Sequence, residues 1–429
     1  MTDLAARSAL ATNWAGNYTY TAQRLHRPTS LAELQEVLAG ALRVRVLGSR
    51  HSFTGVADSV ELVSLEAMTG RATSPADVVV DPGRRTVSVD AGLTYGRLAE
   101  ALRDEGLALH NLASLPHISI AGAVATATHG SGVGNRNLAA AVAALDVVTS
   151  SGEIVHAARS DADFDGMVVG LGALGAVTRV TLDVEPAFEV QQRVFEGLSW
   201  ETVHEHFDEI TSAGYSVSLF TTWREGVDMV WVKSRTDAPG HPGGELFGAP
   251  AARGERHPIP GLDPVPATPQ LASPGLWSDR LPHFRMGFTP SNGDELQSEY
   301  LVPRRHAAEA LEAVRALAPS IRPLLQVCEV RTVAADDLWM STSHGRPSVA
   351  LHFTWLPAQA AVEALLVALE AALAPFDARP HWGKLFLADA AVIAARYERH
   401  ADFVRLAERL DPRGAFRNAW LERHVLGGR

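Results

Sequence analysis

The stretch NLASLPHISIAGAVATATHGSG, residues 111–132, is built almost wholly from small side chains. A packed core needs side-chain volume, whereas glycine, alanine, serine and threonine let backbone lie close against something flat or extended. Two other stretches share this character. Gly48-Ser49-Arg50-His51-Ser52-Phe53 follows the apolar strand RVRVLG (43–48), and GLGALGAV spans 170–177. In the first, successive backbone N–H groups, Arg50 and the hydroxyls of Ser49 and Ser52 can converge on anionic oxygens. Any one run reads equally well as a tight polar turn, and none has the GxGxxG spacing of a dinucleotide fingerprint for NAD. Jointly they predict an extended cofactor gripped by main-chain atoms.

Outward from these runs the chain divides into three zones, predicted as domains 1–186, 187–375 and 376–429. The first holds short β-rich runs, a capping box at Ser30-Leu-Ala-Glu33, a helix near Tyr95–Glu105 closed by Gly106, and a hairpin turning at Ser151-Gly152. The second mixes strands such as YSVSLFTTW and DMVWVKS with helices, and Pro303 is predicted at the start of the helix HAAEALEAVRAL. The proline- and glycine-rich residues 236–275 read as a surface excursion within that domain. The third zone is too short for a large core of its own, so it is expected to pack back onto the first.

A length of 429 residues favours two domains, and 46% hydrophobic with 20% charged residues is typical of compact chains. A formal charge of -11 opposes nucleic-acid binding. The N-terminal residues lack the pattern of a secretory signal, and the richest apolar segment, AVEALLVALEAALAPF, carries Glu363 and Glu370. A cytoplasmic monomer without membrane contact is the expectation. Cys328 is the single cysteine, which excludes an intrachain disulfide and any site needing several thiolates; no metal site is predicted.

Three further places carry chemistry. On the strand LLQVCEVRTV (324–333), a two-residue period puts Glu329 and Arg331 on one face, as an internal ion pair or a ligand-binding pair. His352 lies in VALHFTW and Lys384 in HWGK; by pattern alone these read as a structural histidine and a solvated lysine.

The segments VRVLGSRHSFTG, VSVDAGLTYGRLAEAL, NLASLPHISIAGAVATATHGSG, GLGALGAVTRVTLDV and HWGK, in this order, resemble the vanillyl-alcohol oxidase-type FAD flavoproteins, and within them the alditol (xylitol) oxidases. The resemblance implies a two-domain α+β fold: an FAD-binding domain and a substrate-binding cap. It places FAD against Gly48, Ser49, Arg50, His51, Ser52, Ser114, His117, Gly122, Thr126, Thr128, His129, Gly130, Gly175 and Val177, with His51 joined covalently to the flavin. It gives Ser114, Glu329, Arg331, His352 and Lys384 the polyol, with the last four as catalytic residues. Arg331 would hold the reacting oxygen and Glu329 the neighbouring hydroxyl, while the abstracted proton would go to His352 or out through water, a choice the residues leave open. The implied reaction oxidises the terminal hydroxyl of xylitol or sorbitol and reduces O2 to H2O2. An aldonolactone oxidase or dehydrogenase with the same cofactor is the competing assignment. Chain length, stereochemistry and electron acceptor are not decided by any residue pattern.

Overall fold

The protein is described by a computed structural model covering residues 12–68, 78–239, 242–288 and 295–427. The first eleven residues, and Gly240 and His241 of the proline-rich run, lie outside the described residues.

The first domain carries two larger sheets and a short antiparallel pair, Leu107–Ala108 with Glu185–Pro186. Arg24–His26, Glu61–Val63 and Val44–Val46 pair in parallel in that spatial order. The helix Leu31–Gly40 covers them, because its apolar spacing turns Leu34 and Leu38 onto Val44 and Val63. Ser30 caps this helix by accepting from the Glu33 N–H, but the Glu33 carboxylate reaches the Thr29 N–H at 2.7 Å and not the N–H of Ser30. The second sheet is antiparallel, in the order Val78–Asp81, Thr86–Asp90, Ala176–Asp183, Val142–Val148 and Ile154–Ala158.

The second domain is an eight-stranded antiparallel sheet. Its order is Gly275–Leu276, Glu189–Ser199, Gly226–Arg235, Ser216–Thr221, Leu325–Val333, Ser348–Trp355, Leu296–Pro303 and Arg379–Pro380. Pro303 closes a strand here and does not open the helix, which begins at Ala307 after a short turn. The Arg304 N–H donates to Pro347, so strand alternation turns the Pro303 nitrogen to the other side. There the Arg379–Pro380 strand reaches only to Leu301, and the missing N–H leaves no ladder bond unmade. The proline-rich excursion lies along the Glu189–Ser199 strand, held by Ala252 N–H to Val194, Ala272 N–H to Gln192 and an Arg256–Glu196 ion pair at 2.6 Å. Gln359–Phe376 is long and apolar enough to span a membrane by composition alone. Here it buries one face, Val362, Leu366, Leu369 and Leu373, in the common core.

The chain leaves the second sheet after Pro380, slightly beyond the expected boundary at 376, because Arg379 and Pro380 still pair with Leu301 and Tyr300. It ends against the first domain: the Val44 N–H donates to Ala415, and Asn418 Nδ2 donates to the carbonyls of Gly55 and Asp58. Arg45 anchors this return. Its side chain is buried, and its guanidinium donates to the carbonyls of Val56, Leu171, Gly172 and Phe416. Burial lowers its pKa to about 10, which still leaves it charged at neutral pH. Gly172 has φ +66, and a Cβ there would sit 2.9 Å from Arg45 Nη2, so the loop admits only glycine. Arg45→Ala strands four carbonyls and is expected to cost at least about 3 kcal/mol, read as a lowered melting temperature. A melting temperature equal to the parent's would show that the guanidinium does not hold these segments together.

Candidate functional site

A cavity of about 1250 Å³ runs from the three-stranded sheet of the first domain to the face of the eight-stranded sheet. That exceeds the ~300–1,000 Å³ of ordinary small-molecule sites, leaving room for a large ligand and a small one together. Its first half is lined by Gly48–Phe53, Gly122, Thr126, Thr128, Gly175 and Val177. Its far end is lined by Ser114, His129, Glu329, Arg331, His352 and Lys384. Two residues expected here are absent from the lining. His117 turns to the Met286 carbonyl, its Nε2 at 2.9 Å. Gly130 packs against Leu112 and Asn111, where a Cβ would come within 2.4 Å of the Leu112 carbonyl.

The glycine positions have steric reasons. A Cβ on Gly48 or on Gly122 would lie 2.8 Å from Ser119 Oγ, and the Ser119 N–H donates to Ser49 Oγ at 3.1 Å. The two loops therefore approach through their backbones, with Arg50 in the left-handed region at φ 62. Gly175, at φ +147, would drive a Cβ to 2.6 Å from the Val148 carbonyl. His51 stacks on Trp14, ring centroids 5.4 Å apart. Burial, then His117, lowers its pKa to about 4, so the imidazole is neutral; its buried Nδ1 has no hydrogen-bond partner among the described residues.

At the far end, the centre is a residue that pattern reading passed over. Glu299, on the Leu296–Pro303 strand, is fully buried and receives Arg331 Nη2 at 2.8 Å and Lys384 Nζ at 2.6 Å. His129 Nε2 lies 3.2 Å from it. Burial alone would raise the pKa of Glu299, but Lys384, Arg331 and His129 outweigh burial and hold it well below the usual carboxylate range. Burial lowers the pKa of Lys384, against the pull of Glu299. Glu329 stands beside this group, 3.6 Å from Arg331 Nε. Burial again acts to raise its pKa; Arg331 and the surrounding hydrogen bonds override this and keep it ionised. Glu329 Oε1 accepts from His283 Nε2 at 2.7 Å, and Oε2 lies 3.4 Å from His352 Nδ1. Burial, then Lys384, lowers the His352 pKa to about 4, and its Nε2 is without a partner among the described residues. Arg331 Nη1 reaches Ser114 Oγ at 3.5 Å, which joins the two domains across the cavity.

Strand register explains this convergence. Glu299 pairs with His352, and His352 with Glu329, across three neighbouring strands, so all three side chains emerge on one face. The loop after Arg379–Pro380 brings Lys384 over that face, fixed by His381 N–H to the Glu299 carbonyl and Phe53 N–H to the Gly383 carbonyl. His129, Glu299 and His381 also have the proximity of a metal trio. Both Glu299 oxygens already face cations, so a metal ion there would meet Arg331 and Lys384 at close range.

The chain resembles known proteins over nearly its whole length. Residues 22–158 match the FAD binding domain family, and residues 292–424 match the D-arabinono-1,4-lactone oxidase family. It is 50% identical to an alditol oxidase from a Streptomyces species, covering 98% of this chain and 100% of that one. It is 30% identical to L-gulono-1,4-lactone dehydrogenase from Mycobacterium tuberculosis, covering 98% and 100%. The crystal structure of cholesterol oxidase from B. sterolicum superposes with a TM-score of 0.76 at 14% identity, over 96% of each chain, a likeness of fold.

Glu299→Gln removes the anion shared by Arg331 and Lys384. Losing a group that raises the Lys384 pKa, the variant is expected to show the alkaline limb of its activity at lower pH. Its melting temperature should also fall, since breaking a buried pair costs about 3–5 kcal/mol. A pH profile unchanged on its alkaline side would separate Lys384 from catalysis.

Proposed function

The chain belongs to the vanillyl-alcohol oxidase-type FAD flavoproteins, and we propose that within them it oxidises the terminal hydroxyl of an alditol such as xylitol or sorbitol to the aldose, with O2 reduced to H2O2. The observation that carries this reading is the far end of the cavity. Glu329, Arg331, His352 and Lys384 offer donors and acceptors around a space beside Ser114, which suits a neutral ligand dense with hydroxyls. A carboxylate substrate would be better served by a lone arginine clamp.

The residues of the first half fit FAD. Small residues at Gly48 and Gly122, and a glycine that φ +147 and the Val148 carbonyl require at Gly175, bring backbone to the cavity wall, while Ser119 Oγ and His51 Nδ1 are buried polar atoms without partners among the described residues. His51 holds the flavin covalently in this reading: a neutral imidazole with a free ring nitrogen is the nucleophilic form. Bound FAD supplies the acceptor for the hydride equivalent.

The chain's own groups do the rest. Arg331 and Lys384 hold the reacting oxygen and are charged before charge develops there. Glu329 accepts from the adjacent hydroxyl and so selects a substrate that has one. His352 takes the hydroxyl proton at its free Nε2, while Nδ1–H faces Glu329, whose negative charge steadies the imidazolium. A second reading, oxidation of an aldonolactone, draws on the match of residues 292–424 to the lactone oxidase family.

Anaerobic addition of xylitol or sorbitol to the purified yellow protein is expected to bleach the flavin, and readmitted oxygen to restore it with formation of peroxide. Bleaching by an aldonolactone alone would favour the second reading. Flavin from the parent should stay with acid-precipitated protein, and flavin from His51→Ala should pass wholly to the supernatant; covalent colour retained in that variant would refute the attachment.

A further inference from the structure

Beside Glu329 stands a second buried pair, of which His283 lines the same cavity and Lys233 does not. Lys233 sits on the Gly226–Arg235 strand with 1% exposure, and His283 follows the proline-rich excursion. Lys233 Nζ donates to the Leu281 carbonyl at 2.6 Å, to the Pro282 carbonyl at 3.0 Å and to His283 Nδ1 at 3.1 Å. In its ammonium form, below its pKa, Lys233 has three donors and no acceptor, so these three bonds exhaust it. His283 Nδ1 must therefore offer its lone pair, and the one ring proton lies on Nε2, which donates to Glu329 Oε1 at 2.7 Å. Phe220 and Trp231 clamp the imidazole edge-on, with centroids 5.6 and 5.3 Å away. Its backbone N–H reaches the Ser114 carbonyl.

We propose that His283, locked by Lys233 as the Nε2–H tautomer, is a positioning residue that pins Glu329 through Oε1 and thereby sets the enzyme's preference for substrates with a hydroxyl next to the reacting carbon. The inference rests on the reading of Glu329 given above. It gives the buried lysine a use: an apolar residue of like volume would pack at no charge-burial cost, but would leave Nδ1 without its donor and the imidazole held from the Glu329 side alone. The groups facing His283 are Lys233 on one side and Glu329 with Arg331 on the other. Burial, then Lys233, lowers its pKa to about 4, so the ring carries a single proton, which the ionised Glu329 draws to Nε2 and the Lys233 ammonium keeps off Nδ1. Burial lowers the Lys233 pKa to about 7, with Glu329 opposing and Arg331 adding to the fall.

The test uses the holoenzyme and two probes that differ only in the adjacent hydroxyl, 1,2,4-butanetriol and 1,4-butanediol. The readout is the ratio of their second-order rate constants for anaerobic flavin reduction. His283→Phe keeps the ring packing and deletes both nitrogens; it is expected to lower the ratio about tenfold or more. His283→Gln should hold the ratio within about threefold of the parent, because its amide oxygen can accept from Lys233 while its NH2 donates to Glu329. Lys233→Met should lower the ratio by a smaller factor, and it carries the test if His283→Phe does not fold. In the double variant His283→Phe with Glu329→Gln, the ratio should equal that of Glu329→Gln alone, since one residue acts through the other. A ratio that collapses in Glu329→Gln but is unchanged in His283→Phe overturns this inference and leaves the role of Glu329 standing. Equal losses on both probes in His283→Phe also overturn it, as the mark of packing alone. An unchanged ratio in Glu329→Gln removes both together, and an unchanged ratio in Lys233→Met removes the tautomer lock.

Discussion

A carboxylate sealed from water between two cations is the constraint on which this architecture depends. Glu299 is fully buried, and each of its oxygens faces a positive side chain from a different segment: Arg331 from the next strand but one and Lys384 from the returning C-terminal chain. Its third neighbour, His129, comes from the first domain. Breaking one partner of such a pair typically costs about 3–5 kcal/mol, a large share of the ~5–15 kcal/mol that holds a domain folded. The domains are thus joined at the site by charge balance as well as by apolar packing. The backbone follows the same logic, with Gly132 N–H donating to Thr332 and Phe53 N–H to Gly383 across the same junction.

Much of the cavity's first half was legible because glycine has a steric signature. Where Gly48 and Gly175 stand, a Cβ would meet another segment, and at Gly122 it would meet Ser119 of its own turn, so small residues recur along the cavity wall. Glu329 and Arg331 were legible from strand periodicity, since alternate residues share a face. Periodicity cannot state what lies opposite, and here it lost the most. Glu299 is the single charge of the apolar strand LQSEYLVP, and Lys233 follows the apolar run MVWV in GVDMVWVKSR, a signal like the one that marked Glu329 and there to be read. His283 gave none, because it follows an irregular segment whose path is set by contacts with other strands. His117 and Gly130 illustrate the reverse: they lie in the decisive stretch 111–132, yet a turn points one at Met286 and packs the other on Asn111. Pro303 was misplaced for a local reason, since proline suits both a helix start and the unpaired side of a strand end.

Most of the site's histidines are kept neutral, and this matters for polyol chemistry. Burial pushes His51, His283 and His352 to about 4 and His381 well below the ordinary value. A neutral imidazole can serve as nucleophile, as tautomer-specific donor or as proton acceptor; an imidazolium can only donate. The fixed positive charge of the site is therefore concentrated in Arg331 and Lys384, and the histidines stay available for directional roles around them.

A carboxylate so close to the two cations would seem to cancel the charge needed at the reacting oxygen. Geometry resolves this. Glu299 engages Arg331 through Nη2, while Nη1 lies 3.5 Å from Ser114 Oγ at the cavity wall and Nε lies toward Glu329. A guanidinium has five N–H donors in a rigid plane, so fixing one edge aims the others and does not use them up. Long-range charge is balanced, which makes burial tolerable, while short-range hydrogen bonding to a ligand oxygen is retained. Donors fixed in advance need no reorganisation when negative charge appears on that oxygen, and in a water-poor cavity each is worth more than it would be in solvent. In the proposed reaction Glu299 would act by holding Arg331 and Lys384 in place, and an apolar residue in its stead would leave these two cations to repel one another out of line.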